Sequence, residues 1–190
     1  MHYDRDRVVQ KMRKWERHLS EYALPTWEEL PALELYMDQV IVLLTEYLSF
    51  LPKEDNLDTI VTAAAINNYV RKKVMPPPVK KRYSRTHLAY LVMICSLKQC
   101  VNIPYIQQMI PITLSEQEIH DAYNAFVAQH RSTVLYFVEQ MNERAGKMLN
   151  HAETADKGVS GIAGSLAVIS GLSRLSAETL ILLQESDEHS

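Results

Sequence analysis

The stretch INNYVRKKVMPPPVKKRYSRTHLAYLVMICSLKQCVNIPYIQQMI, residues 66–110, decides the fold. Its three consecutive prolines, Pro76 to Pro78, forbid both helix and a hydrogen-bonded central strand, so Met75 to Lys81 must run as an extended connector. Before the connector, Thr62 offers an N-cap for a short helix over Ala63–Lys73. Ile66, Tyr69 and Val70 share one face of that helix; Ala64, Asn68, Arg71 and Lys72 point the other way, with Asn67 at the flank. After it, Ser84 caps a second helix whose apolar positions Leu88, Leu91, Val92, Cys95 and Leu97 continue to about Cys100. Val101 to Pro104 then turn the chain into one more short helix, Tyr105 to Ile110.

The charge map is equally local. Between Asp58 and Glu116 there are 57 residues without an acidic side chain, where the overall frequency of 23 acids in 190 residues leads one to expect about seven. The same stretch carries eight cations: Arg71, Lys72, Lys73, Lys80, Lys81, Arg82, Arg85 and Lys98. Seven of them fall in the fifteen positions from Arg71 to Arg85, inside a chain whose net charge is −3. An acidic protein therefore encloses one basic island, and such an island attracts polyanions.

Outward from this centre the pattern stays helical, and only five glycines occur. Asp4 to Leu19 is amphipathic through Val8, Val9, Met12, Trp15 and Leu19. Leu24-Pro25-Thr26-Trp27 and Leu30-Pro31 interrupt regular structure. Tyr36, Val40, Leu43, Leu44, Tyr47, Leu48 and Leu51 mark a helix over about Leu33 to Leu51, ended by Pro52, and Lys53 to Asp58 makes a polar connection. Ser115-Glu116-Gln117-Glu118 is a capping-box start for a helix to about Asn150, on which Val127, Val134, Met141 and Met148 recur every seven residues. The block from Gly158 holds four of the five glycines and suits close packing. The expected class is mainly α: an N-terminal amphipathic helix over 1–23, a central domain over 24–111, and a C-terminal helical region over 112–190 for dimerisation and regulation, together a helical bundle.

The central run resembles the DNA-binding half of MerR-type regulators. In that pattern a recognition helix ends in Ile-x-Tyr/Asn-Tyr, a proline-containing wing leaves through Arg-x-Tyr-Ser, and two helices with an aliphatic face follow. Ile66 and Tyr69 match the packed positions of the recognition helix, Val74 the aliphatic residue before the wing, Pro76 to Pro78 the approach to it, and Lys81-Arg82-Tyr83-Ser84 its exit. Leu97-Lys98 and Ile103 to Ile106 match the turn and the fourth helix. The wing here is shorter and lacks the usual glycine, Lys73 stands where a glycine often ends the recognition helix, and the first helix is longer and more aliphatic. More broadly, Leu24 to Ile119, with LPTWEELPALELYMDQV and INNYV, is similar to an uncharacterised family of Gram-positive bacteria, a domain of unknown function whose members are presumed regulators.

The resemblance implies a winged helix-turn-helix and a transcriptional regulator that binds double-stranded DNA. A recognition helix needs small residues on its approach and amide or guanidinium donors for base edges. Ala63 to Ala65 supply the first, and Asn67, Asn68 and Arg71 the second. Lys72, Lys80, Lys81, Arg82 and Arg85 suit phosphate contacts, and Tyr83 can add a hydroxyl donor or serve as a packing residue. One such module covers few base pairs, so a homodimer on paired half-sites is expected, with Val127, Val134, Met141 and Met148 as its seam. The competing expectation is an interaction scaffold whose basic island binds an acidic protein or RNA.

Other classes find little support. Cys95 and Cys100 stand on different faces of one helix, which is neither a disulfide framework nor a metal pair. His120 and His130 are too far apart on one helix to share a metal, and no phosphate loop, metalloprotease motif or nucleophile motif occurs. The expectation is a cytoplasmic protein with no enzymatic activity, no metal and no cofactor, in which a small-molecule effector is left unidentified. Gly158 to Ser173 reads as too short and too rich in glycine and serine to span a bilayer, with Arg174 and Glu178 following it.

Overall fold

The structure is a computed structural model that describes residues 4–51, 59–151 and 155–187. Among these the chain forms seven helices and no strand: α1 (Arg5–Glu21), α2 (Met37–Tyr47), α3 (Ala63–Arg71), α4 (Arg85–Leu97), α5 (Ile103–Met109), α6 (Glu116–His151) and α7 (Ala155–Asp187). The polar connection expected over Lys53 to Asp58 lies outside the described residues. Two compact units emerge, one of residues 24–129 with 177–190, the other of residues 1–23 with 130–176.

The first unit is organised by α4. From His87 to Cys95 nine consecutive residues are buried, so this helix is enclosed on every side rather than along one stripe. Enclosure demands that its polar groups find partners inside the protein. Ser84 N–H donates to His87 Nδ1 at 3.1 Å, and the Ser84 hydroxyl lies 2.8 Å from the same nitrogen. Nδ1 is then the acceptor, which leaves the proton on Nε2, 3.2 Å from the Pro77 carbonyl. The Tyr90 hydroxyl donates to the Pro111 carbonyl at 2.8 Å. The proline connector and the end of α5 are thereby tied to the same helix.

Around α4, α2 buries Val40 and Leu44, and α3 buries Ile66 and Tyr69. Thr62 caps α3 as expected, its hydroxyl accepting from Ala65 N–H at 3.1 Å. The helix expected over 33–51 is shorter at both ends. Leu35 is taken by an antiparallel backbone bridge to Tyr83, with Leu35 N–H to Tyr83 O and Tyr83 N–H to Leu35 O both 2.9 Å. Beyond Tyr47 the chain turns, keeping Leu48 buried without further helix.

The first turns of α6 belong to the same compact unit as the basic island. Ile119 and Tyr123 are buried there, the Tyr123 hydroxyl donates to Pro25 O at 2.8 Å, and Asn124 Oδ1 accepts from Trp27 N–H at 3.0 Å. The capping box at Ser115 forms, with Glu118 accepting from the Ser115 N–H at 2.8 Å and from its hydroxyl at 2.6 Å.

In the second unit, Met141 of α6 and Ile162 of α7 are buried against Val9, Met12, Phe137, Val159 and Leu166. Trp15 meets Phe137 edge to face at 6.1 Å, and Arg131 donates to Tyr22 O at 2.6 Å just past the end of α1. Glycine and serine do not break α7, which runs unbroken through Arg174 and Glu178. Its segment Gly158–Leu183 is long and apolar enough to cross a bilayer by length and composition, so the sequence argument from shortness does not hold. Buried core helices of soluble proteins satisfy the same two criteria, whereas only 6% of this segment is buried.

The enclosure of His87 carries a pH signature. Burial holds its imidazole below the ordinary value of 6.5, outweighing the hydrogen bond to Pro77 and the nearby Glu34 carboxylate, which both act upward. The folded state thus favours the neutral ring. Its contribution to stability is complete above pH 6.5 and is lost as the pH falls below that value toward the lowered folded pKa. His87→Gln keeps the capping-box chemistry and removes the titration. Chemical denaturation between pH 7.5 and 5.5 is expected to show wild type losing more stability than the variant, by up to about 1.4 kcal/mol per pH unit. His130, also shifted downward by burial, is common to both proteins and cancels.

Candidate nucleic-acid interface

The basic island begins at the C-terminus of α3, where the chain must leave the helix. Val74 N–H bonds to Tyr69 O at 2.9 Å and Lys73 N–H to Val70 O at 3.0 Å, which is a Schellman ending with Val74 buried as its apolar partner. That ending requires a left-handed residue after the cap, usually glycine, and here Lys73 supplies it at φ 55°. Gln107 of α5 closes the helix end, its amide donating to Lys72 O at 2.8 Å and Lys73 O at 3.3 Å.

The connector expected to run extended from Met75 to Lys81 instead ends in a minimal two-residue hairpin, because Lys80 and Lys81 take left-handed backbone. Val79 and Arg82 pair, Arg82 N–H bonds to Val79 O at 2.9 Å, and the two tip residues are Lys80 at φ 50° and Lys81 at φ 62°. Positive φ at both central positions is what a two-residue hairpin of the favoured twist demands, and Asn-Gly is its usual solution. Lys73, Lys80 and Lys81 are the non-glycine residues with positive φ among those described. Their side chains are all exposed. A β-carbon in that region costs roughly 1–2 kcal/mol per residue.

The other candidate residues divide by environment. Asn67 is exposed on α3, as are Arg71 and Lys72. Asn68 is half-buried and its Oδ1 accepts from Arg71 Nη2 at 2.8 Å, so the two act as one pair. Tyr83, only 3% exposed, packs its ring edge to face against His87 at 5.7 Å. That burial gives it a packing role inside the fold. Arg85 is likewise engaged inside the fold: Nε donates to Leu30 O at 3.0 Å, and the guanidinium lies 5.9 Å from the Trp27 ring centre.

Arg82 stands between the two groups. It is half-exposed, 3.9 Å from Glu34 and 5.4 Å from the ring centre of Tyr36. Glu34 precedes the acid-free stretch in sequence and joins it only because Leu35 pairs with Tyr83. A carboxylate at the base of the hairpin, and the holds of Trp27 on Arg85 and of Gln107 on α3, have no local signal. The capping role of His87 did have one, three residues after Ser84.

On α6 the expected dimer seam has its Met141 position closed by the chain's own Val9, Met12 and Ile162 neighbourhood. Val127 and Val134 are half-buried, and the Met148 side chain lies outside the described residues. His120 sits 2.7 Å from Asp121 and 3.2 Å from Glu28, and these hydrogen bonds raise its pKa. Among the described residues no group of three or more His, Cys, Asp or Glu side chains has the arrangement of a metal site.

The fold is thus that of a mainly α protein with a strained, lysine-tipped hairpin between two of its helices. The chain belongs to the DUF1836 family, a domain of unknown function, whose profile matches residues 25–126. Comparison with curated proteins and with solved structures yields no match.

The left-handed lysines make a stability prediction. Lys73→Gly is expected to stabilise the protein by about 1 kcal/mol, and Lys80→Asn with Lys81→Gly by about 1–2 kcal/mol together, in urea titrations at neutral pH. Unchanged or lower midpoints would show that the lysines hold these conformations without strain.

Proposed function

We propose that this protein is a DNA-binding transcriptional regulator of the cytoplasm, built on a MerR-like winged helix-turn-helix. The observation that carries the reading is the placement of three exposed lysines at backbone positions where glycine or asparagine is more stable. Strain retained at an exposed site points to a use for the side chain. Here the common property of the three side chains is a positive charge, in a stretch free of carboxylates of its own.

Support also comes from the order of elements. A helix, the short helix α3, a hairpin, two helices and a long helix follow one another as in the resembling regulators, and Leu35 pairs with the hairpin's returning residue Tyr83. In this reading α3 enters the major groove. Asn67 offers its amide to a base edge, and Arg71, held by Asn68, presents its remaining donors to a base or phosphate. Lys72, Lys73, Lys80 and Lys81 neutralise phosphates on either side, while Arg82 and Arg85 brace the hairpin against Glu34 and Trp27. The protein acts as a homodimer on paired half-sites.

Fluorescence anisotropy with duplex DNA over a salt series tests this. Lys80→Glu with Lys81→Glu is expected to weaken binding at least tenfold and to reduce the magnitude of the salt slope by about two. Lys80→Asn with Lys81→Gly should weaken binding while the fold becomes more stable, a combination that general damage does not produce. Equal binding by all three proteins would reject the reading.

A further inference from the structure

The basic island has no carboxylate of its own, yet Arg82 meets that of Glu34. The antiparallel bridge of Leu35 with Tyr83 explains how. Alternation along paired backbone turns Leu35 and Tyr83 inward, half-buried and buried, and sends Glu34, Tyr36 and Arg82 to the opposite, exposed face. Tyr36 stands directly across from Arg82, and its ring centre lies 5.4 Å from the guanidinium. Glu34 is a diagonal neighbour at the limit of a long side chain's reach, and the approach stops at 3.9 Å. That distance makes an ion pair without a hydrogen bond.

We propose that Glu34 stands in for a phosphate: its carboxylate holds Arg82 in the unliganded protein, and an incoming phosphate oxyanion takes the arginine over. The ring of Tyr36 backs the guanidinium, and about half of each partner's side chain is open to solvent, 49% for Arg82 and 51% for Glu34. A planar fork of five donors takes two oxyanion oxygens at once through charge-assisted hydrogen bonds. Glu34 makes no such bond at its distance, and an exposed ion pair contributes little, so a phosphate that makes two displaces it.

After the exchange Glu34 is left as a negative charge within a Debye length of the bound phosphate. The residue that holds Arg82 therefore also opposes the ligand. Glu34 is an autoinhibitory contact: it lowers the affinity of the island and keeps one cation in reserve for a ligand of dense negative charge. The exchange rests on the reading of the island as a phosphate-binding surface, with duplex DNA as the source of the phosphate.

A double-mutant cycle over Glu34 and Arg82 isolates the exchange, read by anisotropy with a short labelled duplex over a salt series. With Arg82 in place, Glu34→Gln is expected to tighten binding about three- to fivefold and to steepen the salt slope by about one. In an Arg82→Gln background the same change should gain less than about twofold, since only the repulsion is then removed. Urea midpoints of the four proteins should agree closely, because both side chains are half-exposed. Equal gains in the two backgrounds, or no gain with Arg82 in place, would overturn the exchange. Repeating the cycle with inorganic polyphosphate separates the exchange from the DNA reading. Duplex binding without the Arg82-dependent gain rejects the exchange and leaves the DNA reading standing. An Arg82-dependent gain on polyphosphate, in a protein that does not bind duplex, supports the exchange and rejects the DNA reading. A wild type that binds neither polyanion overturns both.

Discussion

A helix with protein on every side imposes its requirements on whatever surrounds it, and α4 imposes them here. Nine consecutive buried residues leave no face for water, so each terminus and each polar side chain must be satisfied from neighbouring elements. His87 reaches back to Pro77, Tyr90 forward to Pro111, and the Ser96 hydroxyl to Val92 O at 2.8 Å within the helix itself. These bonds set where the proline connector and the end of α5 lie. The hairpin's position follows, because it is anchored at Pro77 on one side and at the start of α4 on the other.

The hairpin is consequently a rigidly based but locally strained structure. Its base is held by the Leu35–Tyr83 bridge, the Arg85 contact with Leu30 and Trp27, and the Arg82 contact with Glu34. Its tip spends stability on two left-handed lysines, and α3 ends on a third. A stiff base beneath a charged tip suits a surface that must meet a polyanion in one register. The cations of the island therefore divide: most face outward, Arg82 is half-exposed beside Glu34, and Arg85 is engaged inside the fold.

Away from the island, α1, α6 and α7 show how an amphipathic pattern leaves its partner undecided. The seven-residue recurrence on α6 is satisfied at Met141 by the chain's own helices. On α7, glycine and serine had suggested a packing block, and the helix runs through them from Ala155 to Asp187.

The sequence by itself determined the elements whose causes are local. Thr62 and Ser115 cap helices because a hydroxyl reaches the backbone N–H three residues on, Ser84 opens α4 through its bonds to the His87 ring, and three prolines force the connector. The acid-free basic island is likewise a property of order along the chain. Tertiary structure decided what depends on residues far apart: that Leu35 leaves its expected helix to pair with Tyr83, that Tyr83 and Arg85 turn inward, and that Glu34 joins the island. It also decided that α4 is enclosed on all faces. Periodicity reports which side of a helix seeks cover. Only the packed chain shows which side has found it.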